Sequence, residues 1–117
     1  MLIKDIMTKN VITAPSNTPI TDAKKIMKEH DFRRLPVVDD GKLIGIVTEA
    51  RADRVSPRTT APLLWQVTYL ISHTNLKDVM KKTVATIRPE ATVEQGVALA
   101  QRKRVGALVV VETGKVV

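Results

Sequence analysis

Arg33 and Arg34 stand side by side directly before the apolar run Leu35-Pro36-Val37-Val38. Each guanidinium is a planar fork of donors, suited to holding a phosphate or carboxylate through two parallel hydrogen bonds. The same pair also suits a solvated loop near a helix C-terminus, where the dipole favours cations. Thr48 ends a second apolar run, Leu43-Ile44-Gly45-Ile46-Val47, and Arg51 and Asp53 follow it. Thr48 reads either as a ligand contact or as a plain strand-end hydroxyl, and Arg51 with Asp53 as a salt-bridging pair at a helix start. Catalytic signatures are missing: the chain has no Gly-x-Ser-x-Gly, no Gly-rich phosphate loop, no His-Glu-x-x-His and no defensible carboxylate pair. An enzyme is not expected. His30 and His73 lie far apart, with no cysteine or carboxylate pattern beside either, so no metal site is expected.

These residues sit inside a repeat. Residues 5–44 recur without a gap as residues 78–117, with ten identities in forty positions, among them Asp5/Asp78, Met7/Met80, Val11/Val84, Leu35/Leu108, Val37/Val110 and Gly41/Gly114. Each copy alone is near the lower limit for a stable core, whereas two copies can share one. Their junction is where a cleft is expected.

Within the first copy, a short strand is expected at Val11-Ile12-Thr13, closed by the loop Ala14-Pro15-Ser16-Asn17. Thr18 and Pro19 then read as the cap and first residue of a helix. Its apolar stripe is Ile20, Ala23, Met27 and His30, and it ends near His30-Asp31. Leu35–Val38 reads as a buried strand, Asp39-Asp40-Gly41-Lys42 as a hairpin turn, and Leu43–Thr48 as the return strand. In the second copy the expected parts are a strand at Val84-Ala85-Thr86 and a capping box made by Thr92 and Gln95. A helix face of Val93, Gly96, Val97 and Ala100 and a strand over Ala107–Val111 follow. Val116-Val117 only begins the return strand, so residues 45–53 have no counterpart there. Between the copies, Leu63, Leu64, Val67, Leu70 and Ile71 form the apolar face of a connecting helix. On that helix Trp65 and Tyr69 either pack on the sheet or meet another subunit. The strand–helix–strand–strand–helix order gives an α+β fold with small mixed sheets.

The totals narrow the setting. At 117 residues the chain makes one compact domain, and aromatic residues are only 3% of it, so aliphatic side chains and Met must build the core. No cysteine is present, which fits a reducing cytoplasm. No membrane partner is expected, because no apolar run approaches the length that spans a bilayer. The net charge of +7 is spread along the chain, so nucleic acid is not expected as a partner.

The pattern Asp-h-Met-Thr before a short strand, followed by Leu35-Pro-Val-Val-Asp-Asp-Gly-Lys-Leu-Ile-Gly-Ile-Val-Thr48, resembles the cystathionine-β-synthase (CBS) domain. The tandem arrangement resembles the CBS pair, or Bateman module, over nearly the whole chain. The stretch from Ser56 through Trp65 and Tyr69 to Met80 is further similar to the acetoin-utilisation type. The resemblance implies a CBS-domain pair of two pseudo-symmetric β-α-β-β-α repeats. The first repeat would occupy residues 1–60, a connecting helix completing it residues 61–77, and the second, truncated at its last strand, residues 78–117. It implies a regulatory module, usually a homodimer, that binds AMP, ADP, ATP or S-adenosylmethionine between the repeats and modulates an unknown partner; no cofactor is required. A ligand-independent dimerisation module is the alternative.

Carried onto this sequence, the family's ligand positions are Thr18, Arg33, Arg34, Ile46, Thr48, Arg51 and Asp53. The family pattern places a ribose-holding aspartate where this chain has Arg51. A carboxylate accepts hydrogen bonds from ribose hydroxyls, whereas arginine only donates, so Arg51 suits a phosphate better. Gly106 and Ala107 replace the two arginines in the second copy. One usable site and one remnant are therefore expected.

Overall fold

The computed structural model describes residues 1–55 and 74–117, with backbone only over 53–55. The expected connecting helix, with Trp65, Tyr69 and His73, lies outside the described residues.

The repeat is written in three dimensions, still 73 residues apart. Helix α1 (Ile3–Ile6) corresponds to α4 (Leu76–Val79), and α2 (Ile20–Glu29) to α5 (Val93–Lys103). The hairpin β1 (Arg34–Asp39) and β2 (Lys42–Thr48) corresponds to β4 (Val109–Glu112) and β5 (Lys115–Val116). Helix α3 (Glu49–Val55) follows β2, and β3 (Thr86–Ile87) precedes α5. The conserved spacing of Asp5 and Asp78 has a local cause. Each carboxylate reaches back to accept the backbone N–H three residues earlier, from Leu2 at 2.9 Å and from Asn75 at 3.0 Å. Both short helices thereby satisfy an N–H that would otherwise be orphaned.

Both hairpins turn through a residue pair with positive φ: Asp40 (51°) and Gly41 (78°), Thr113 (50°) and Gly114 (82°). Two consecutive positive φ values match the right-handed twist of the flanking strands, and glycine at the second position makes the turn cheap. The β1–β2 ladder runs from Arg34↔Thr48 to Asp39↔Lys42, with a bulge between Val37 and Val38.

The mixed three-stranded sheet forms fully in the second repeat, in the order β3-β4-β5. Its first strand lies at Thr86–Ile87, not at the expected Val84–Thr86. In the first repeat the expected strand over residues 11–13 does not form. What remains is one parallel bridge, Ala14↔Val37, made by Ala14 N–H to Pro36 O and Val38 N–H to Ala14 O. Pro15 follows at once and has no N–H to extend the ladder.

The helix entries differ as well. Thr92 and Gln95 make the expected capping box, at 2.9 and 3.1 Å. Thr18 does not cap α2. Pro19 is the residue at the cap position and no side chain caps the helix. The first N–H of α2, on Ile20, instead donates to Thr74 O at 2.9 Å.

That bond belongs to a reciprocal exchange. Ile3, Lys4 and Val93 N–H donate to Ala91, Pro89 and Met1 carbonyls, and Leu76, Lys77 and Ile20 N–H donate to Thr18, Ser16 and Thr74 carbonyls, all at 2.8–3.0 Å. Each repeat's opening segment is thus held by the other repeat's helix entry. A further bridge, Ile46↔Lys81, joins the edge of β2 to the segment after α4.

The main core contains Ile20, Ala23, Met27, Leu35, Val37, Val47 and Ala52, with Ala14 beside them. Leu76 and Val79 of α4 close it from the second repeat. His30 leaves the predicted stripe: it is exposed at the helix C-terminus, stacked on Phe32 at 5.8 Å. Val97 also leaves the predicted face of α5 and is 53% exposed, while Gly96 is buried. One helical residue turns the chain by about 100°, enough to carry Val97 off the face that Gly96 occupies.

Candidate functional site

The hairpin register sets the site. Arg34 lies opposite Thr48 on neighbouring strands, and Arg33 precedes it at the mouth of the hairpin. The carbonyl of Arg33 accepts the N–H of Glu49, tying the arginine pair to the start of α3. Arg33, Arg34, Thr48, Glu49 and Ala50 line one cavity of about 430 Å³. Its donors are two exposed guanidinium groups, so it can receive an anion. The Thr48 hydroxyl accepts the N–H of Arg51 at 3.1 Å as the cap of α3, and its own proton is left to donate.

A second cavity, of about 380 Å³, lies between the two repeats. Its walls include Met7, Phe32, Pro36, Ile46, Leu108 and Val110, and Arg34 is the single charged residue among those lining it. Arg34 therefore faces both cavities.

The seven expected site residues do not all converge. Arg33, Arg34 and Thr48 do. Ile46 joins Arg34 in the second cavity, while its backbone N–H and C=O are both used by Lys81. Thr18 lines neither cavity; its carbonyl accepts Leu76 N–H, which makes it part of the junction between repeats. The Arg51 side chain turns away to donate from Nε to the Val79 carbonyl. The last carbonyls of a helix carry partial negative charge, and α4 ends at Val79, so a guanidinium is well placed there. The side chain of Asp53 lies outside the described residues.

Sequence reasoning missed Met80 and Gly106. A Cβ on Gly45 would stand 2.6 Å from Met80 Sδ and 3.0 Å from Lys81 O, so only glycine lets the second repeat's opening segment lie against β2. The repeat pairs Met7 with Met80 but carries no signal that either meets Gly45.

Beyond the cleft, Asp39 holds the loop before α2. It accepts Ser16 Oγ at 2.5 Å and Ser16 N–H at 2.9 Å, and these bonds hold its carboxyl below the ordinary value of 3.8. Among the described residues no cluster of three His, Cys, Asp or Glu could hold a metal ion. No helix among them is long and apolar enough to cross a membrane.

Comparison with known proteins places this geometry. The chain aligns over its full length, and over 85% of the other chain, with the CBS domain pair of protein MJ0100 in complex with 5′-methylthioadenosine and S-adenosyl-L-methionine; identity is 29% and the TM-score 0.78. It is similar over its full length to a putative acetoin utilization protein (AcuB) from Vibrio cholerae, with 27% identity, a TM-score of 0.81 and 81% of that chain covered. Among curated relatives, an uncharacterized protein, MJ0653, of Methanocaldococcus jannaschii is 59% identical over 46 residues, or 39% of this chain. That match spans only 24% of the relative's length. The family model for the CBS domain matches residues 3–55 and again residues 76–117. Two matches in tandem, on two repeats that exchange their opening segments, mean that the chain belongs to the CBS-domain family and has the α+β fold of a CBS pair.

Proposed function

We propose that the chain is a regulatory module that binds an adenosine-containing ligand, AMP, ADP, ATP or S-adenosylmethionine, in the cleft between its repeats. The observation that carries this reading is the convergence of Arg33, Arg34 and Thr48 on one cavity, with the apolar inter-repeat cavity on the other side of Arg34. An apolar wall receives a flat base, and guanidinium groups receive phosphate or carboxylate. The adenosine compounds held by the MJ0100 pair, at 29% identity, support the same ligand class.

On this reading the working parts are residues 1–60, residues 61–77 completing the first repeat, and residues 78–117. Ligand binding shifts the poise of the repeats only as far as it favours one arrangement over the other, and a partner protein reads the change. The module is non-catalytic, cytoplasmic and homodimeric. Titration calorimetry against AMP, ADP, ATP, NAD and S-adenosylmethionine tests the sensor. Binding of at least one below about millimolar Kd is expected; binding of none ends the reading. Arg34→Ala should weaken AMP more than adenosine.

One observation favours a second reading, a ligand-independent dimerisation module. Arg51 stands at the family's ribose position and is tied to the Val79 carbonyl. Sedimentation with and without nucleotide separates the two: a dimer indifferent to every nucleotide favours the second.

A further inference from the structure

We infer that Gly106 is a positioning residue. By leaving out a side chain it lets Arg34 of the first repeat serve as the anion anchor of the apolar cavity shared with the second repeat. This deepens the cleft reading above and is tested apart from it.

A Cβ on Gly106 would lie 2.9 Å from Arg34 Nη2 and 3.8 Å from its Cζ. The guanidinium therefore lies directly over the glycine, closer than any other residue type would permit. Gly106 has no positive φ, so backbone conformation does not explain it. It is exposed, so core packing does not explain it either. In the 73-residue register Gly106 and Ala107 are the counterparts of Arg33 and Arg34. The second repeat has no cation of its own at these positions, and the first repeat's Arg34 reaches over to fill the place.

Two further facts give the arrangement a chemical use. Arg34 is the single charged residue lining the apolar cavity, and its side chain makes no hydrogen bond or ion pair with the described residues. A cation at the edge of an apolar wall offers an incoming anion a charge-assisted hydrogen bond while the wall receives the anion's apolar body. The ligand class is a flat or apolar body bearing one anionic group. Replacing Gly106 by alanine makes the guanidinium, a flexible side-chain end, give way at little cost to the fold, and so shifts the anchor from its place over residue 106.

The test uses 1-anilinonaphthalene-8-sulfonate, an apolar anion with no adenosine, followed by fluorescence with the full chain. Arg34→Ala should weaken binding about tenfold and Gly106→Ala about threefold, as expected for loss and misplacement of one charge-assisted bond. In the Arg34→Ala background, Gly106→Ala should change nothing, because its effect runs through Arg34. Thermal unfolding of Gly106→Ala should match the parent. Failure of the probe to bind, an unchanged affinity in Gly106→Ala, or the same loss with and without Arg34 overturns the inference. Failure of AMP and its relatives to bind, with this pattern intact, overturns the adenosine reading alone.

Discussion

Val79 and Ile6 hold the same place in the two repeats, yet Val79 is 8% exposed and Ile6 57%. The difference lies in what covers them. In the first repeat α3 lies against α4, Arg51 bonds the Val79 carbonyl, and Ala52 is fully buried in the shared core. Two copies of a pattern thus carry unequal loads. The first, with α4 added, holds the core; the second supplies the opposite wall of the cleft. Burial follows from the pieces that meet, and the repeat alone does not deliver it.

The largest expected effect probes that inequality directly. Leu35 is fully buried and its counterpart Leu108 only half-buried. Leu35→Ala should cost about 3 kcal/mol and Leu108→Ala about half as much. Urea unfolding gives both values, and equal costs would mean that the two repeats share the core evenly. Next comes Gly45→Ala, which sets a methyl against Met80 Sδ and the Lys81 carbonyl. A loss of about 2 kcal/mol is expected, since the backbone cannot retreat without breaking the Ile46↔Lys81 bridge. A loss below about 0.5 kcal/mol would show that the repeats slide apart freely.

A smaller effect is read against pH. The Asp39 carboxyl is held below its ordinary value by the Ser16 hydroxyl and then by the Ser16 N–H. Its stabilisation is therefore present above pH 3.8 and is lost as pH falls through the lowered value. Asp39→Asn should flatten the acid limb of the stability profile, and an unchanged limb would remove Asp39 from it. In the second repeat the counterpart of Ser16 is Pro89, which has neither hydroxyl nor N–H to hold a loop as Ser16 does. Smallest of all, Gly96→Ala should stabilise by about 0.5 kcal/mol, because alanine favours a helix and the crowded atom is a side-chain end, Ile3 Cδ1 at 2.9 Å. Thermal unfolding reads this, and a clear loss would mean that the α1–α5 contact is as tight as that of Gly45.

What could be read from the sequence was local. The strand at Leu35–Val38, the turn at Asp40-Gly41 and the Thr92/Gln95 box each depend on residues a few positions apart, and all three formed. The hairpin brings Arg34 opposite Thr48 for the same reason. The neighbourhood of Thr18 has the local pattern of a helix cap, but the first N–H of the helix, on Ile20, finds its acceptor at Thr74, 54 residues away in the chain. Arg51 bonding Val79 and Arg34 lying over Gly106 join residues of different repeats, and no local spacing encodes such contacts.

The exchange of opening segments also bears on how the molecule is made. Met1 accepts the first N–H of α5, and Thr74 that of α2, so neither long helix begins properly until the other repeat has arrived. Contacts so distant along the chain carry a high loop-closure entropy and slow the search for the native state. Once formed, they make both repeats open and close together as one cooperative unit. A nascent chain that has released only its first repeat still has an unfinished α2. The same reciprocity makes a swapped dimer accessible, since an opening segment borrowed from a second molecule would satisfy the identical carbonyls and N–H groups.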